Sequence, residues 1–110
     1  MDVNVANMQT AQVVTIVGEI DGSSAPQAQG VILAQVGEGA KVVLDMSGVT
    51  YMSSAGLRML LLAYRTVNGK GGMMALVGLS SDLKDTMSVT GFLDFFTCCD
   101  TLDAGVAAVA

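Results

Sequence analysis

The chain has 110 residues, 52% of them hydrophobic and 14% charged, a balance that suits one small domain with most of its elements covered and excludes a disordered chain. Ten acidic side chains against five basic ones give a net charge of −5, which argues against nucleic-acid binding and for a protein partner. There is no histidine, and the two cysteines are neighbours, Cys98-Cys99, so Ser-His-Asp and Cys-His nucleophiles, histidine metal sites, a zinc site and a disulfide framework are all excluded.

No apolar run reaches the roughly 18 residues of a membrane span. Met1-Asp2-Val3-Asn4 lacks the basic and then apolar stretches of a secretory signal, so a cytoplasmic protein is expected. Val3 and Val5 alternate with polar residues as a short first strand. Gln9-Thr10-Ala11-Gln12 reads as a polar turn, and the β-branched run Val13-Val14-Thr15-Ile16-Val17 as a second strand, antiparallel to the first. Gly18-Glu19-Ile20-Asp21-Gly22 closes it. Ser24 at the N-cap, Pro26 in the first turn and Gln27 as a capping-box partner start a helix over 25–36.

Lys41 to Met46 is a nearly all-apolar interior strand, followed by a turn at Ser47-Gly48-Val49-Thr50. A second helix is expected from about Ser54 to Asn68, with Gly69, Gly71 and Gly72 ending it. Met73 to Val77 is a fourth strand. Ser80 or Ser81 caps a short third helix carrying Leu83 and Met87, stopped near Gly91. Phe95-Phe96-Thr97 reads as a last edge strand, and Asp100 or Thr101 caps a final helix with Leu102, Val106 and Val109 on one side. The β-β-α-β-α-β-α-β-α order implies one α/β domain, with a mixed sheet of four to five strands flanked by about four helices.

The strand-to-helix passage around Tyr51-Met52-Ser53-Ser54-Ala55-Gly56-Leu57 carries the functional signal. A helix start has unpaired N–H groups and partial positive charge, so it suits a hydroxyl cap or a phosphate. Ser53 and Ser54 are expected at N′ and N-cap. Along the helix, Leu57, Leu60, Leu61, Tyr64 and Val67 share one side and should face the sheet. Arg58, Leu62, Arg65 and Thr66 point away, with Met59 flanking them, so the outer side mixes arginines with apolar residues. Either these are scattered exposed side chains, or this is a protein-docking face beginning at Ser54. Gly56, unfavourable in a first turn, is explained by close approach of a partner to the backbone. Neither serine has an adjacent lysine or any histidine to act as base, so an enzyme is not expected.

These residues resemble the STAS domain of bacterial anti-sigma factor antagonists. The resemblance rests on Gly18-Glu19-Ile20-Asp21, on Val42-Val43-Leu44-Asp45-Met46-Ser47-Gly48-Val49-Thr50-Tyr51-Met52 and on Ser54-Ala55-Gly56-Leu57, and it covers residues 1–110 as one STAS domain. It implies a partner, a GHKL-type serine-kinase anti-sigma factor, that binds the unphosphorylated chain. It also implies phosphorylation of a helix-start serine, here Ser54 with Ser53 as second choice, that weakens the complex. A PPM-type phosphatase would reverse the modification. The family usually has an acid where this chain has Ser53. The expected partner-binding residues are Glu19, Asp21, Ser53, Ala55, Arg58, Met59 and Leu62; for Glu19 and Asp21 the competing reading is strand-end solvation. No cofactor, metal, nucleic acid or membrane is expected, and the chain should be a monomer. The alternative function is an interaction module for a non-sigma target, such as carbon metabolism or a cyclase.

Overall fold

The computed structural model describes residues 1–110. Strands β1 (Asp2–Met8) and β2 (Ala11–Ile20) form an antiparallel hairpin that turns through Gln9 and Thr10. Ala11 and Gln12, expected in the turn, already belong to β2, because Ala11 is buried and pairs with Met8. Helix α1 (Ala25–Leu33), strand β3 (Lys41–Met52), helix α2 (Ser54–Gly69), strand β4 (Met73–Val77), helix α3 (Ser81–Val89), a 3-10 turn at Phe92–Phe95, strand β5 (Thr97–Cys99) and helix α4 (Leu102–Val109) follow. The sheet order is β1-β2-β3-β4-β5, and every pair after the first is parallel.

Because each crossover advances one strand in the same direction, the three crossover helices fall on one side of the sheet. That side holds the larger core, where Val14, Ile16, Val42, Leu44, Met46 and Leu76 meet Ala28 and Ile32 of α1, Leu60, Ala63 and Val67 of α2, and Met87 of α3. The opposite residues of the same strands, Val13, Val43, Ala75 and Val77, pack under Val106 and Val109 of α4. Both faces of β3 and β4 are therefore covered, which is why their sequences are almost uniformly apolar.

Three further boundaries differ from the sequence expectation. The first helix ends at Leu33, with Ala34 as its C-cap, three residues short of Val36. The segment Phe95-Phe96-Thr97 is not one strand: Phe92–Phe95 is a 3-10 turn, and pairing with β4 begins only at Thr97. The largest difference is in β3, which continues through the expected Ser47-Gly48-Val49-Thr50 turn to Met52. Asp45 Oδ1 accepts hydrogen bonds from the Ser47 N–H at 3.1 Å and from its hydroxyl at 2.7 Å, so the polar residues fold locally without ending the strand. Val49 and Met52 remain buried, and the pairing with β2 absorbs the irregularity as register shifts near Val17 and Glu19.

Candidate functional site

Strand β3 is paired with β4 only as far as Asp45, opposite Val77, but with β2 as far as Met52, opposite Ile20. The ends of β2 and β3 thus run past the rest of the sheet as a two-stranded extension, and α2 starts at its tip. The stitching continues for one residue beyond the strand, since the Ser53 N–H donates to the Ile20 carbonyl at 2.8 Å.

At that tip the two serines take different roles. Ser53 has an extended backbone (φ −80°, ψ 177°) and is the N-cap; its Oγ accepts from the Gly56 N–H at 3.4 Å and its carbonyl from the Leu57 N–H at 3.0 Å. Ser54, expected as the cap, is instead the first helical residue. The reason is that β3 holds its pairing to Met52, which leaves Ser53 as the hinge between extended and helical backbone. Ser53 is half-buried, whereas Ser54 is exposed and its hydroxyl makes no hydrogen bond within the chain. At this helix start the Gly56 N–H is taken by Ser53 Oγ and the Leu57 N–H by the Ser53 carbonyl, which leaves the Ser54 and Ala55 N–H groups without a partner.

Gly56 has a structural cause. An added Cβ would lie 2.5 Å from Met52 Cγ, 3.0 Å from Ile20 Cγ2 and 3.3 Å from the Ile20 carbonyl oxygen. The first turn of α2 lies directly on the ends of β2 and β3, and only glycine permits that approach. The expectation that Gly56 leaves room for a partner is thereby corrected: it is buried inside the domain.

Beside this tip, the β2–α1 loop is organised by Asp21. Its Oδ1 accepts from the Ser23 hydroxyl at 2.8 Å, the Ser23 N–H at 2.9 Å and the Ser24 N–H at 3.0 Å. The Ser23 hydroxyl bond, helped by the Ser24 and Ser23 backbone bonds, holds the Asp21 carboxyl below its ordinary value. Ser24 Oγ accepts from the Asp21 N–H and donates to the Glu19 carbonyl, both at 2.9 Å. Ser24 is thus the N-cap of α1 by position, but its side chain ties down the end of β2, and the capping box with Gln27 does not form. Glu19 is exposed and pairs through its backbone with Tyr51.

On α2, Arg58, Leu62 and Arg65 are exposed as expected, with Leu62 at 43%. Met59 is only 2% exposed and belongs to the larger core; it cannot line a docking face. It falls inward because the apolar stripe is wide, with Ala63 one turn later also fully buried. Ala55 is half-buried and packs against that same core. The surface around Ser54 therefore comprises Ser54, Arg58 and Leu62 on the helix, with Glu19 and the 52% exposed ring of Tyr51 on the strand extension. From the sequence, Tyr51 and Met52 could both pack under the turn that leaves the strand; only Met52 is buried, and Tyr51 is exposed at the end of β3.

The molecule's one cavity, about 170 Å³, lies at the other end of α2, between Tyr64, Asn68, Met73, Phe95 and Val109. No three His, Cys, Asp or Glu side chains gather as metal ligands, and no helix is long and apolar enough to cross a membrane. Cys98 is exposed and Cys99 partly covered; neither borders the Ser54 site, which lies at the end of a different strand.

The fold is a single mixed five-stranded α/β domain with an exposed serine at the start of α2. The family model for the STAS domain matches residues 2–105, and the chain belongs to the STAS domain family. Among its relatives, BtrV of Bordetella bronchiseptica is 33% identical over 92 residues, covering 83% of this chain and 79% of that protein. The anti-sigma-B factor antagonist of Bacillus subtilis is 31% identical over 93 residues, covering 84% of this chain and 85% of that protein. Of solved structures, an anti-sigma factor antagonist from Mycobacterium paratuberculosis superposes with a TM-score of 0.87 at 28% identity, over 98% of this chain and 92% of that one.

Proposed function

We propose that this protein is an anti-sigma factor antagonist whose binding is switched by phosphorylation of Ser54. In this reading the unmodified chain docks on a GHKL-type anti-sigma factor that is also a serine kinase. The kinase transfers phosphate to the Ser54 hydroxyl, the complex weakens, and a PPM-type phosphatase restores the binding form. The chain acts in the cytoplasm as a substrate and ligand, not as an enzyme, with no cofactor.

One observation carries the choice of Ser54: its hydroxyl is exposed and unbonded at the first position of α2, while Ser53 is half-buried and capping. A kinase can take Ser54 without breaking a bond that holds the fold. The phosphate adds about −1.5 to −2 charge directly over the unpaired helix N–H groups, so the domain accommodates it. The partner does not: a site shaped around a neutral hydroxyl, Leu62 and Arg58 meets a dianion that must lose its water. The names borne by the Bacillus subtilis and Mycobacterium paratuberculosis relatives support the sigma-control output.

The test is the affinity of the chain for the anti-sigma factor kinase encoded in its own genome, measured by calorimetry with and without phosphate on Ser54. The phosphorylated chain and Ser54→Asp should bind at least several-fold more weakly than the parent, and Ser54→Ala should bind like it. Equal affinity of all forms would sink the mechanism.

A further inference from the structure

We propose that Arg58 is the built-in counter-charge of phosphorylated Ser54. Phosphorylation draws its guanidinium off the docking face into a pair within α2. The proposal rests on the reading of Ser54 as the acceptor.

Ser54 and Arg58 are both exposed and stand four residues apart on α2. Residues at that spacing are surface neighbours. Helical side chains lean toward the helix N-terminus, so Arg58 covers the turn that starts with Ser54. An acid four residues before a base is also the better of the two orders. A guanidinium matches a phosphate as a two-pronged donor, which a lysine does not.

Arg58 has no competing partner in the unmodified chain. The only ion pair of the molecule joins Lys84 to Asp100. Helix α2 contains Arg58 and Arg65 but no acidic residue, and α1, which packs against it, has no charged residue at all. Other charges toward the tip are Glu19 and Asp21 at the end of β2 and the Met1 amino group, which lies against Gly18 of that strand; Asp21 is already engaged with Ser23 and Ser24. Those two carboxylates repel a phosphate, and Arg58 is the cationic side chain of α2 one turn from it.

The switch then has two parts. Before modification Arg58 is free beside Leu62, ready for an acidic group of the partner. After modification the phosphate occupies it, so the face gains negative charge and also loses its available cation.

The test installs phosphoserine at position 54 by genetic incorporation and follows its second ionisation by phosphorus NMR. It compares the otherwise unaltered chain with Arg58→Gln, Arg58→Lys and Arg65→Gln. An adjacent arginine favours the dianion, so the phosphate should ionise below its ordinary value of about 6. Arg58→Gln should raise that value by about 0.3 pH units, the worth of a helical ion pair, and Arg58→Lys by less. Arg65→Gln, two turns further on, should leave it unchanged. A phosphate indifferent to Arg58→Gln, or equally sensitive to Arg65→Gln, overturns the proposal. Because the phosphate is installed without a kinase, this result is independent of whether a kinase selects Ser54.

Discussion

Replacing Gly56 with alanine tests the packing that places the serine pair. Within a helix the added methyl group favours folding by about 1 kcal/mol relative to glycine. Here that methyl would sit 2.5 Å from Met52 Cγ and 3.0 Å from Ile20 Cγ2. Ile20 is fully buried and Met52 is 5% exposed, so neither side chain has open space to move into. The Ile20 carbonyl, 3.3 Å away, also accepts the bond from Ser53, so displacing it disturbs the cap. Overpacking of this kind costs about 1–3 kcal/mol. The expected net loss is about 1 kcal/mol, a fall in Tm of about 4–6 °C for a domain of this size. Gly30 in α1 is the control, since an added Cβ there meets nothing within 4 Å. Gly30→Ala should therefore gain about 0.5–1 kcal/mol. Both variants are read by thermal and urea unfolding followed by circular dichroism. A Gly56→Ala protein as stable as the parent would refute the close approach of α2 to the strand ends.

Three further outcomes follow from the site. Ser53→Ala should lower stability by about 0.5–1 kcal/mol, the low end for a cap because its bond is long, while Ser54→Ala should stay within about 0.5 kcal/mol of the parent in the same unfolding assay. Met59→Ala should cost about 2–4 kcal/mol as a core truncation, whereas Leu62→Ala should leave the unfolding midpoint nearly unchanged and weaken binding of the kinase. Asp21 has its folded-state pKa depressed below 3.8 by the Ser23 and Ser24 bonds, so its contribution is present above that pH and is lost as pH falls through the folded value; carboxyl NMR should show its midpoint below 3.8, and Asp21→Asn should remove that part of the acid dependence.

The element order was legible because glycines and capping residues punctuate this chain clearly. Ser80 and Thr101 are caps of α3 and α4, bonded to the Leu83 and Ala104 N–H groups, as the hydroxyl positions suggested. The length of β3 was not legible, because Ser47-Gly48 is turn chemistry when read locally. What keeps that segment extended is pairing with β2 and burial of Val49 and Met52, contacts between residues far apart in the chain. The errors at the serine pair descend from that one. A strand ending at Met46 leaves the helix start undetermined by a residue, which moved the cap from Ser53 to Ser54. It also hid the outward ring of Tyr51 and left Gly56 without its neighbours Ile20 and Met52. The inward turn of Met59 has a different origin: a period of 3.6 places it at the margin of the apolar face, and only the width of the core decides which side it joins.

Ser54, not Ser53, should receive the phosphate. Incubation with the partner kinase and ATP, followed by intact-mass measurement and fragment mapping, tests it most directly. The parent chain and Ser53→Ala should each gain one phosphate, mapped to Ser54 in both, and Ser54→Ala should gain none. Full phosphorylation of Ser54→Ala, or a phosphate mapped to Ser53 in the parent, would contradict the account.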